Sequence, residues 1–161
     1  MYYTRFNTSF CEIILVGDKL GLRNLHLNTG EGNRSFEISK NWILNDDFFE
    51  DSICQIKEFL CGKRKVFNIK LNLEGTDFQK SVWKELCKIP YGRTTTYKEI
   101  AKKLGNENAS RAVGAANGKN PIPLIIPCHR VIGSNGKLTG FAYGIAIKEK
   151  IINHEKSKIG E

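Results

Sequence analysis

The chain is organised around residues 120–131, NPIPLIIPCHRV. Three of the four prolines in the chain lie in this segment. They exclude a regular helix, because proline fixes φ and removes a backbone donor. Each proline also biases the residue before it toward an extended conformation. We therefore expect a stiff, apolar, buried connector that delivers Cys128 to a defined position.

Cys128 is followed directly by His129. A cysteine near an imidazole is a candidate nucleophile, because the thiolate attacks and a base or a nearby positive charge raises its population. The alternative is that Cys128 is a small buried hydrophobe, as most free cysteines are. The local sequence leaves both interpretations open.

The composition is that of a soluble globular protein, with 40% hydrophobic and 26% charged residues. A length of 161 residues suits one good-sized domain or two small ones that share an interface. The formal charge of +8 favours a polyanionic partner, with nucleic acid as the first candidate. Charge alone is equally consistent with a basic protein that binds no nucleic acid.

Five cysteines occur at irregular spacing without a Cys-x2-Cys pair. This pattern supports neither a zinc site nor a disulfide scaffold, so we expect a reducing compartment and neither metal nor organic cofactor. The first residues lack a signal-peptide pattern, and the apolar runs are too short to span a bilayer. We therefore expect a cytoplasmic protein with no membrane contact.

Residues 1–74 are predicted to form a small sheet with one helix. Extended runs at residues 10–16 and 20–27 predict a hairpin. Apolar residues at helical spacing predict a helix that ends near Gly62; they are Phe49, Ile53, Ile56 and Leu60. Alternating apolar residues predict a half-buried strand over residues 67–73, and residues 63–65, KRK, are expected to be a solvated cluster.

Residues 75–161 are predicted to form a second, mostly helical unit. Thr76 and Gln79 predict a capping box, with Phe78, Val82 and Leu86 along one face of the helix that follows. Thr96 and Glu99 predict a second capping box, and Asn108 is expected to cap a third helix over residues 109–118. The second and third helices predict a helix-turn-helix.

Two further features complete this unit. The turn at residues 133–136 predicts a hairpin that could serve as a wing. Ile147, Ile151 and Glu155 share one face of a last helix, which should direct the Glu155 carboxylate inward, where it needs a partner. The third helix is nearly all Ala and Gly around Arg111, so its backbone could approach DNA closely.

Together, these motifs resemble the active-site signature of the O6-alkylguanine-DNA alkyltransferases. The resemblance runs from Gly75 to Glu155 and includes residues 111–114, RAVG, residues 120–121, NP, and residues 127–131, PCHRV. It implies an α/β (α+β) fold: a ribonuclease-H-like sheet-plus-helix domain (residues 1–74), then a winged-helix-like, mostly helical DNA-binding domain (residues 75–161).

The resemblance also implies an activity. A monomer would bind duplex DNA through the minor groove, flip an O6-alkylguanine out of the base stack, and move its alkyl group to Cys128. O4-alkylthymine is a possible second substrate. The thioether product is not reversed by ordinary thiol chemistry, so each molecule would act once and without a cofactor.

The resemblance assigns a role to each matching position. Arg111 would fill the gap left by the flipped nucleotide, on a DNA-contacting surface made with Ala112, Gly114 and Ala115. His129 would take the thiol proton through a water molecule while Glu155 holds the imidazole tautomer. Tyr97 would lie near the flipped nucleotide and help neutralise the leaving oxyanion, and Asn120 would shape the turn around the nucleophile.

The expected substrate pocket includes the backbone near Val131 and the residues Asn117, Phe141 and Ala142. Phe141 stands where many members of the family carry tyrosine, so ring packing on the base is kept but a hydroxyl contact is lost. Asn117 is polar where some relatives are apolar. Both differences affect the expected substrate range.

Three alternatives remain at the level of sequence. A winged-helix DNA-binding regulator would explain the positive charge and the helix-turn-helix but would leave residues 127–130 without a function. A cysteine hydrolase would explain the nucleophile but not Arg111 and its Ala/Gly-rich helix. A related lesion-binding family without transfer activity lacks the nucleophilic cysteine that this chain has at residue 128.

Overall fold

A four-stranded sheet forms the N-terminal part of the computed structural model, which describes residues 1–138 and 140–159. The predicted hairpin is confirmed, since β2 (Glu12–Asp18) and β3 (Gly21–Asn28) pair antiparallel. The sequence reasoning missed β1 (Tyr2–Asn7), which pairs antiparallel with β2, and β4 (Ile43–Leu44), which pairs parallel with β1. The strand order is therefore β3-β2-β1-β4.

The predicted helix of this part is also confirmed. A short 3₁₀ helix (Asp47–Phe49) leads into α1 (Glu50–Leu60). Phe49, Ile56 and Leu60 of the predicted apolar stripe are buried, so the stripe faces the core. Gly62 has a φ of 85°, the left-handed conformation that commonly follows a helix C-terminus.

The predicted strand over residues 67–73 is wrong. The segment forms a single isolated bridge, between Leu22 and Leu71. Both backbone groups of Asn68 bond instead to the side-chain amide of Gln55 on α1, at 2.9 and 3.0 Å. Lys70 and Asn72 bond to the Leu22 backbone at 2.8 Å, but the Gln55 side chain takes both backbone groups of Asn68, so the pairing does not extend into a ladder.

Four helices dominate the C-terminal part: α2 (Asp77–Leu86), α3 (Tyr97–Lys103), α4 (Ser110–Gly118) and α5 (Ile145–Ser157). The capping box of Thr76 and Gln79 is confirmed in both its halves. Of the three residues on the predicted face, Val82 and Leu86 are fully buried, whereas Phe78 is 39% exposed. Trp83 is buried in its place, and its indole N–H donates to the Ala116 carbonyl of α4 at 2.9 Å.

The caps of the next two helices differ from the prediction. Thr96 accepts from the Glu99 backbone N–H at 3.2 Å, but the Glu99 carboxylate pairs with Lys102 at 3.7 Å, so only the first half of the second capping box is recorded. Asn108 does not cap the third helix. Asn106 accepts from the Asn108 N–H at 3.1 Å and caps a 3₁₀ helix (Glu107–Ala109) that runs directly into α4.

The predicted wing takes a different form. A turn does form, with the Gly133 N–H donating to the Lys137 carbonyl at 3.0 Å. The strand before it, β6 (Val131–Ile132), pairs in parallel with β5 (Thr95–Thr96) just before α3. The backbone that follows Cys128 is thereby fixed to the start of α3, and the second strand of the predicted hairpin is not formed by residues 137–138.

The proline-rich connector is buried and non-helical, as predicted. The Asn120 side chain spans it, donating to the Ile126 carbonyl at 2.8 Å and accepting from the Ile122 N–H at 3.0 Å. Leu124 has a φ of 73°, which is rare for a residue with a side chain. These constraints lead the chain into a single 3₁₀ turn (Cys128–Arg130).

Within residues 1–138 and 140–159, the helices are all too short or too polar to cross a bilayer. The buried hydrophobic residues instead form one cluster, which includes side chains from the sheet, from α1 and from the C-terminal helices. The connector contributes Ile122, Leu124 and Ile126 to it. The position of Cys128 therefore depends on packing in both parts of the chain.

We expect Thr76→Ala to lower the free energy of unfolding by about 1 kcal/mol, because it removes a hydrogen-bonded N-cap. Thr76→Ser keeps the hydroxyl and should remain near wild type. Chemical denaturation monitored by circular dichroism measures both values. Equal unfolding midpoints for the two variants would show that the capping box contributes nothing.

Candidate functional site

Cys128 lies at the base of a small pocket between α3, α4 and the loop before α5. Its side chain is buried, with the residue 3% exposed, and the cavity beside it measures about 40 Å³. The residues that line the pocket with Cys128 are Tyr97, Gly114, Asn117, Gly118, Asn120, Gly140, Phe141, Ala142 and Tyr143. Most of the predicted pocket and catalytic positions therefore meet here.

Val131 is the predicted pocket residue that does not line this cavity. Its side chain is fully buried and its backbone belongs to β6. Asn117 is buried beside the nucleophile, and its side-chain amide donates to the Cys128 carbonyl at 3.4 Å. The polar residue at this position thus contacts the backbone of the turn that holds Cys128.

The thiol of Cys128 is protonated at rest. Burial raises its pKa to about 11, although a hydrogen bond from Asn120 and the positive charges of Lys148 and Arg34 lower it. Burial therefore outweighs the nearby positive charge and favours the protonated thiol. A base must remove this proton before the sulfur can attack.

A buried carboxylate joins the end of α5 to the turn that carries Cys128. Glu155 is 1% exposed. Its Oε2 lies 2.6 Å from His129 Nε2, and Arg130 donates to both carboxylate oxygens at 2.8 and 2.9 Å. The Gly92 N–H adds a fourth hydrogen bond at 3.2 Å. The inward direction predicted for Glu155 is confirmed.

The protonation states of this cluster follow from its contacts. Burial by itself would raise the pKa of Glu155, but hydrogen bonds from His129 and Arg130 lower it to about 2, so the carboxylate is ionised. Burial lowers the pKa of His129, while Glu155 opposes that shift. A neutral imidazole that shares its Nε2 proton with Glu155 keeps Nδ1 as an acceptor.

Arg130 has a structural role that the sequence did not reveal. Besides its two bonds to Glu155, it donates to the Ile89 carbonyl at 2.7 Å. It is the positive charge that balances Glu155, which leaves His129 free to remain neutral. The sequence shows that Arg130 follows His129, but it contains no local pattern that predicts the ion pair of Arg130 with Glu155, 25 residues away.

Lys148 and Arg34, whose positive charges act on Cys128, were also not predicted from the sequence. Lys148 is fully buried on α5, with its ammonium 5.8 Å from the centre of the Phe141 ring. Burial lowers its pKa, and Cys128 raises it in turn. One signal in the sequence distinguishes Lys148 from the solvated lysines of the same helix. Its spacing to Ile152 and Glu155 puts it on the same face of the helix as those two residues.

The loop before α5 is held by residues from the N-terminal sheet domain. The Thr29 hydroxyl donates to the Tyr143 carbonyl at 2.7 Å, and the Arg34 N–H donates to the Ala142 carbonyl at 3.0 Å. The Arg34 guanidinium also donates to the Gly118 carbonyl at 2.9 Å and lies 5.9 Å from the centre of the Tyr143 ring. One wall of the pocket therefore depends on the N-terminal part of the chain.

The outer face of α4 carries the residues predicted to meet DNA. Arg111, Ala112 and Ala115 are exposed, whereas Val113 and Ala116 are buried on the opposite face. Gly114 lies beside Tyr97: a Cβ at residue 114 would be 3.8 Å from the tyrosine ring. The exposed face is thus flat and basic, and its edge borders the pocket that holds Cys128.

Two family models match the chain. The one described as "6-O-methylguanine DNA methyltransferase, ribonuclease-like domain" matches residues 1–73, and the one described as "6-O-methylguanine DNA methyltransferase, DNA binding domain" matches residues 77–157. Together they account for nearly the whole length.

Individual relatives agree with these matches. A methylated-DNA–protein-cysteine methyltransferase of Methanosarcina acetivorans is 50% identical over 98% of this chain and 99% of its own length. The crystal structure of Mycobacterium tuberculosis OGT in complex with DNA has a TM-score of 0.89 and 40% identity, covering 98% of this chain and 94% of that one. An O6-methylguanine DNA methyltransferase from Methanococcus jannaschii has a TM-score of 0.69 and 27% identity over 98% of this chain and 95% of its own.

We expect Glu155→Gln to lower the free energy of unfolding at neutral pH by about 3 kcal/mol or more, because it leaves the buried Arg130 without its anion. Glu149→Gln, on the exposed side of the same helix, is the matched control and should stay within about 0.5 kcal/mol of wild type.

The same pair of variants tests the sign of the pH dependence. The pKa of Glu155 is lowered from 4.5 to about 2, so its contribution is complete above the unfolded pKa and is lost as the pH falls through that interval. The stability difference between wild type and Glu155→Gln should therefore shrink below pH 4.5 in urea titrations. A difference that is constant with pH would contradict the buried ion pair.

Proposed function

Because the chain belongs to the 6-O-methylguanine DNA methyltransferase family, we propose that it repairs alkylated DNA by taking the alkyl group from O6 of guanine onto Cys128. The observation that supports this most strongly is a cysteine at the base of a pocket, next in sequence to a histidine that is hydrogen-bonded to a buried glutamate. That arrangement supplies a nucleophile, a base and a residue that orients the base.

The proton path follows from the protonation states. His129 Nδ1 is buried and has no recorded hydrogen-bond partner among residues 1–138 and 140–159. We assign it the Cys128 thiol proton, relayed through a water molecule. The imidazolium that forms is stabilised by the Glu155 carboxylate 2.6 Å away.

The transfer step is an in-line displacement. The sulfur forms a bond to the alkyl carbon while the bond from that carbon to guanine O6 breaks, and the electron pair of the broken bond stays on the base. Tyr97, which lines the pocket, would donate a hydrogen bond to the developing oxyanion. The guanine anion takes up one proton, which balances the proton given up by the thiol, and becomes normal guanine. The protein keeps the alkyl group as an S-alkyl cysteine, so each molecule acts once.

DNA would bind against the outer face of α4. Its small side chains allow the helix backbone to approach the minor groove closely, and Arg111 is exposed where it could enter the base stack. Flipping is needed because an alkyl group on a stacked guanine cannot meet a buried sulfur in line. Contacts of this kind read little sequence, as suits a lesion that can occur anywhere.

The pocket must widen to admit the base. Its volume of about 40 Å³ is far below the ~300 Å³ at which ligand pockets begin. We propose that the loop with Phe141 and Ala142, which lines the pocket, moves to admit the base. We therefore propose O6-methylguanine as the preferred lesion, with larger alkyl groups and O4-alkylthymine depending on how far this loop opens.

The remaining features of the proposal concern organisation. We propose a division into residues 1–74 and 75–161, which is supported by the separate family matches and by the capping box at Thr76. We also propose a monomer that acts on chromosomal DNA in the cytoplasm and needs no cofactor.

A winged-helix regulator without transfer activity would have no use for the buried Cys128, His129 and Glu155.

We expect Cys128→Ser to abolish alkyl transfer while leaving the binding of DNA that contains O6-methylguanine within about threefold of wild type, because binding relies on α4. Mass spectrometry of the protein after mixing with this DNA should show one added methyl group on Cys128 of the wild type and none on the variant. A methyl group on any other cysteine would refute the assignment.

We expect Arg111→Ala to slow repair of duplex DNA by about tenfold or more, equivalent to ~1.4 kcal/mol of lost flipping stabilisation. The reaction of Cys128 with a small alkylating reagent should not change, since Arg111 does not line the pocket. Arg5→Ala, an exposed arginine on β1, controls for the loss of charge. Equal slowing by both variants would mean that Arg111 acts only through general electrostatics.

A further inference from the structure

Asn117 carries a buried hydrogen-bond acceptor on the wall of the Cys128 pocket. The residue is 5% exposed and lies near the C-terminal end of α4. Its Oδ1 finds no donor among residues 1–138 and 140–159. Because a buried amide oxygen without a donor is costly, most such atoms are paired in folded proteins. An unpaired acceptor beside the nucleophile therefore indicates a place for a donor on the substrate.

The other end of the same amide is fixed by the turn that carries the nucleophile. Asn117 Nδ2 donates to the Cys128 carbonyl at 3.4 Å, and the Val131 N–H donates to that carbonyl as well. A carbonyl oxygen has two lone pairs, so the Cys128 carbonyl already has both of its donors. Of these two oxygens, Asn117 Oδ1 is therefore the one with room for a substrate donor.

The orientation of the Asn117 amide follows from the same contact. If the amide were rotated by half a turn, its oxygen would face the Cys128 carbonyl oxygen and two acceptors would meet. The hydrogen bond from Nδ2 removes that conflict. Oδ1 is thereby held as the free end of the side chain.

Asn120, which also lines the pocket, shows the contrast with an amide that has a purely structural role. Its Nδ2 donates to the Ile126 carbonyl at 2.8 Å, and its Oδ1 accepts from the Ile122 N–H at 3.0 Å. Both ends of Asn120 are thus used to shape the connector. Asn117 uses one end, so the shape of the turn does not account for its oxygen.

Alkylated bases differ in the donors that they can offer to this oxygen. Alkylation at O6 removes the N1 proton of guanine, and N9 carries the sugar, so the 2-amino group is the N–H donor that remains. O4-alkylthymine has lost its N3 proton and has no N–H group. A site that hydrogen-bonds a substrate N–H discriminates against an analogue without it, because the buried acceptor is then left unpaired.

We propose that Asn117 determines specificity for the base, with Oδ1 accepting a hydrogen bond from the 2-amino group of the flipped O6-alkylguanine. This inference rests on the repair reaction proposed above and adds a chemical reason why a guanine lesion is preferred to a thymine lesion. The contact involves neither the sulfur nor the alkyl group. It therefore selects the base and is independent of the size of the alkyl group.

Single-turnover methyl transfer from two duplexes tests this contact. One duplex contains O6-methylguanine, and the other contains O6-methylhypoxanthine, which differs from it by the absence of the 2-amino group. We expect the wild type to repair the first at least about fivefold faster, the effect of one neutral hydrogen bond. Asn117→Leu keeps a similar volume without an acceptor and should lower this rate ratio by about fivefold.

The rate ratio separates recognition of the base from damage to the site. Both lesions react with the same sulfur, so any effect of the substitution on folding or on the thiol cancels in the ratio. Asn117→Ala removes the acceptor without adding bulk, and it should lower the ratio as Asn117→Leu does. Asn7→Leu, at an exposed position of β1, is the matched control and should keep the wild-type ratio.

The outcomes distinguish this inference from the repair reaction itself. Equal rates of the wild type on the two duplexes, or an unchanged ratio in either folded Asn117 variant, would overturn the role of Asn117 and leave methyl transfer in place. A ratio that falls equally in Asn7→Leu would overturn it too. No methyl transfer to Cys128 from either duplex would overturn the repair proposal and this inference with it.

Discussion

The ion pair between Glu155 and Arg130 is the interaction on which the site depends. It joins the last helix to the 3₁₀ turn that carries Cys128, and a hydrogen bond from the Gly92 N–H adds the turn after α2. A buried carboxylate is costly unless it is fully hydrogen-bonded, and four hydrogen bonds to Glu155 meet that requirement. The three elements are therefore fixed relative to one another.

The same pair decides which group can act as a base. If Glu155 had only His129 as a partner, the imidazole would be drawn toward its charged form and could not accept a proton. Arg130 supplies the permanent charge instead, and burial then lowers the pKa of His129. In the proposed mechanism, Glu155 would also stabilise the imidazolium once the thiol proton arrives, so one carboxylate would serve both states of the reaction.

Sequence predicted most reliably those features whose cause is local. The capping box at Thr76 and the inward face of Ile147, Ile151 and Glu155 depend on spacing within one helix, and both are confirmed. The strand over residues 67–73 does not form because Gln55, on α1, takes both backbone hydrogen bonds of Asn68. Arg34 and Lys148 were not predicted because the groups they act on lie far along the chain: Arg34 donates to the Gly118 carbonyl, and Lys148 interacts with Cys128.

The raised pKa of Cys128 has a consequence for a protein that acts once. A permanent thiolate would react with any small electrophile or oxidant, and each such event would consume a molecule. Burial keeps the sulfur protonated, with a pKa of about 11, and Lys148 and Arg34 provide positive charge that stabilises the anion as it forms. In the proposed mechanism, the loop before α5 would move to open the 40 Å³ pocket, so the attacking thiolate would form only in the complex with a flipped base. The low reactivity of the resting thiol would then make a single-use nucleophile selective.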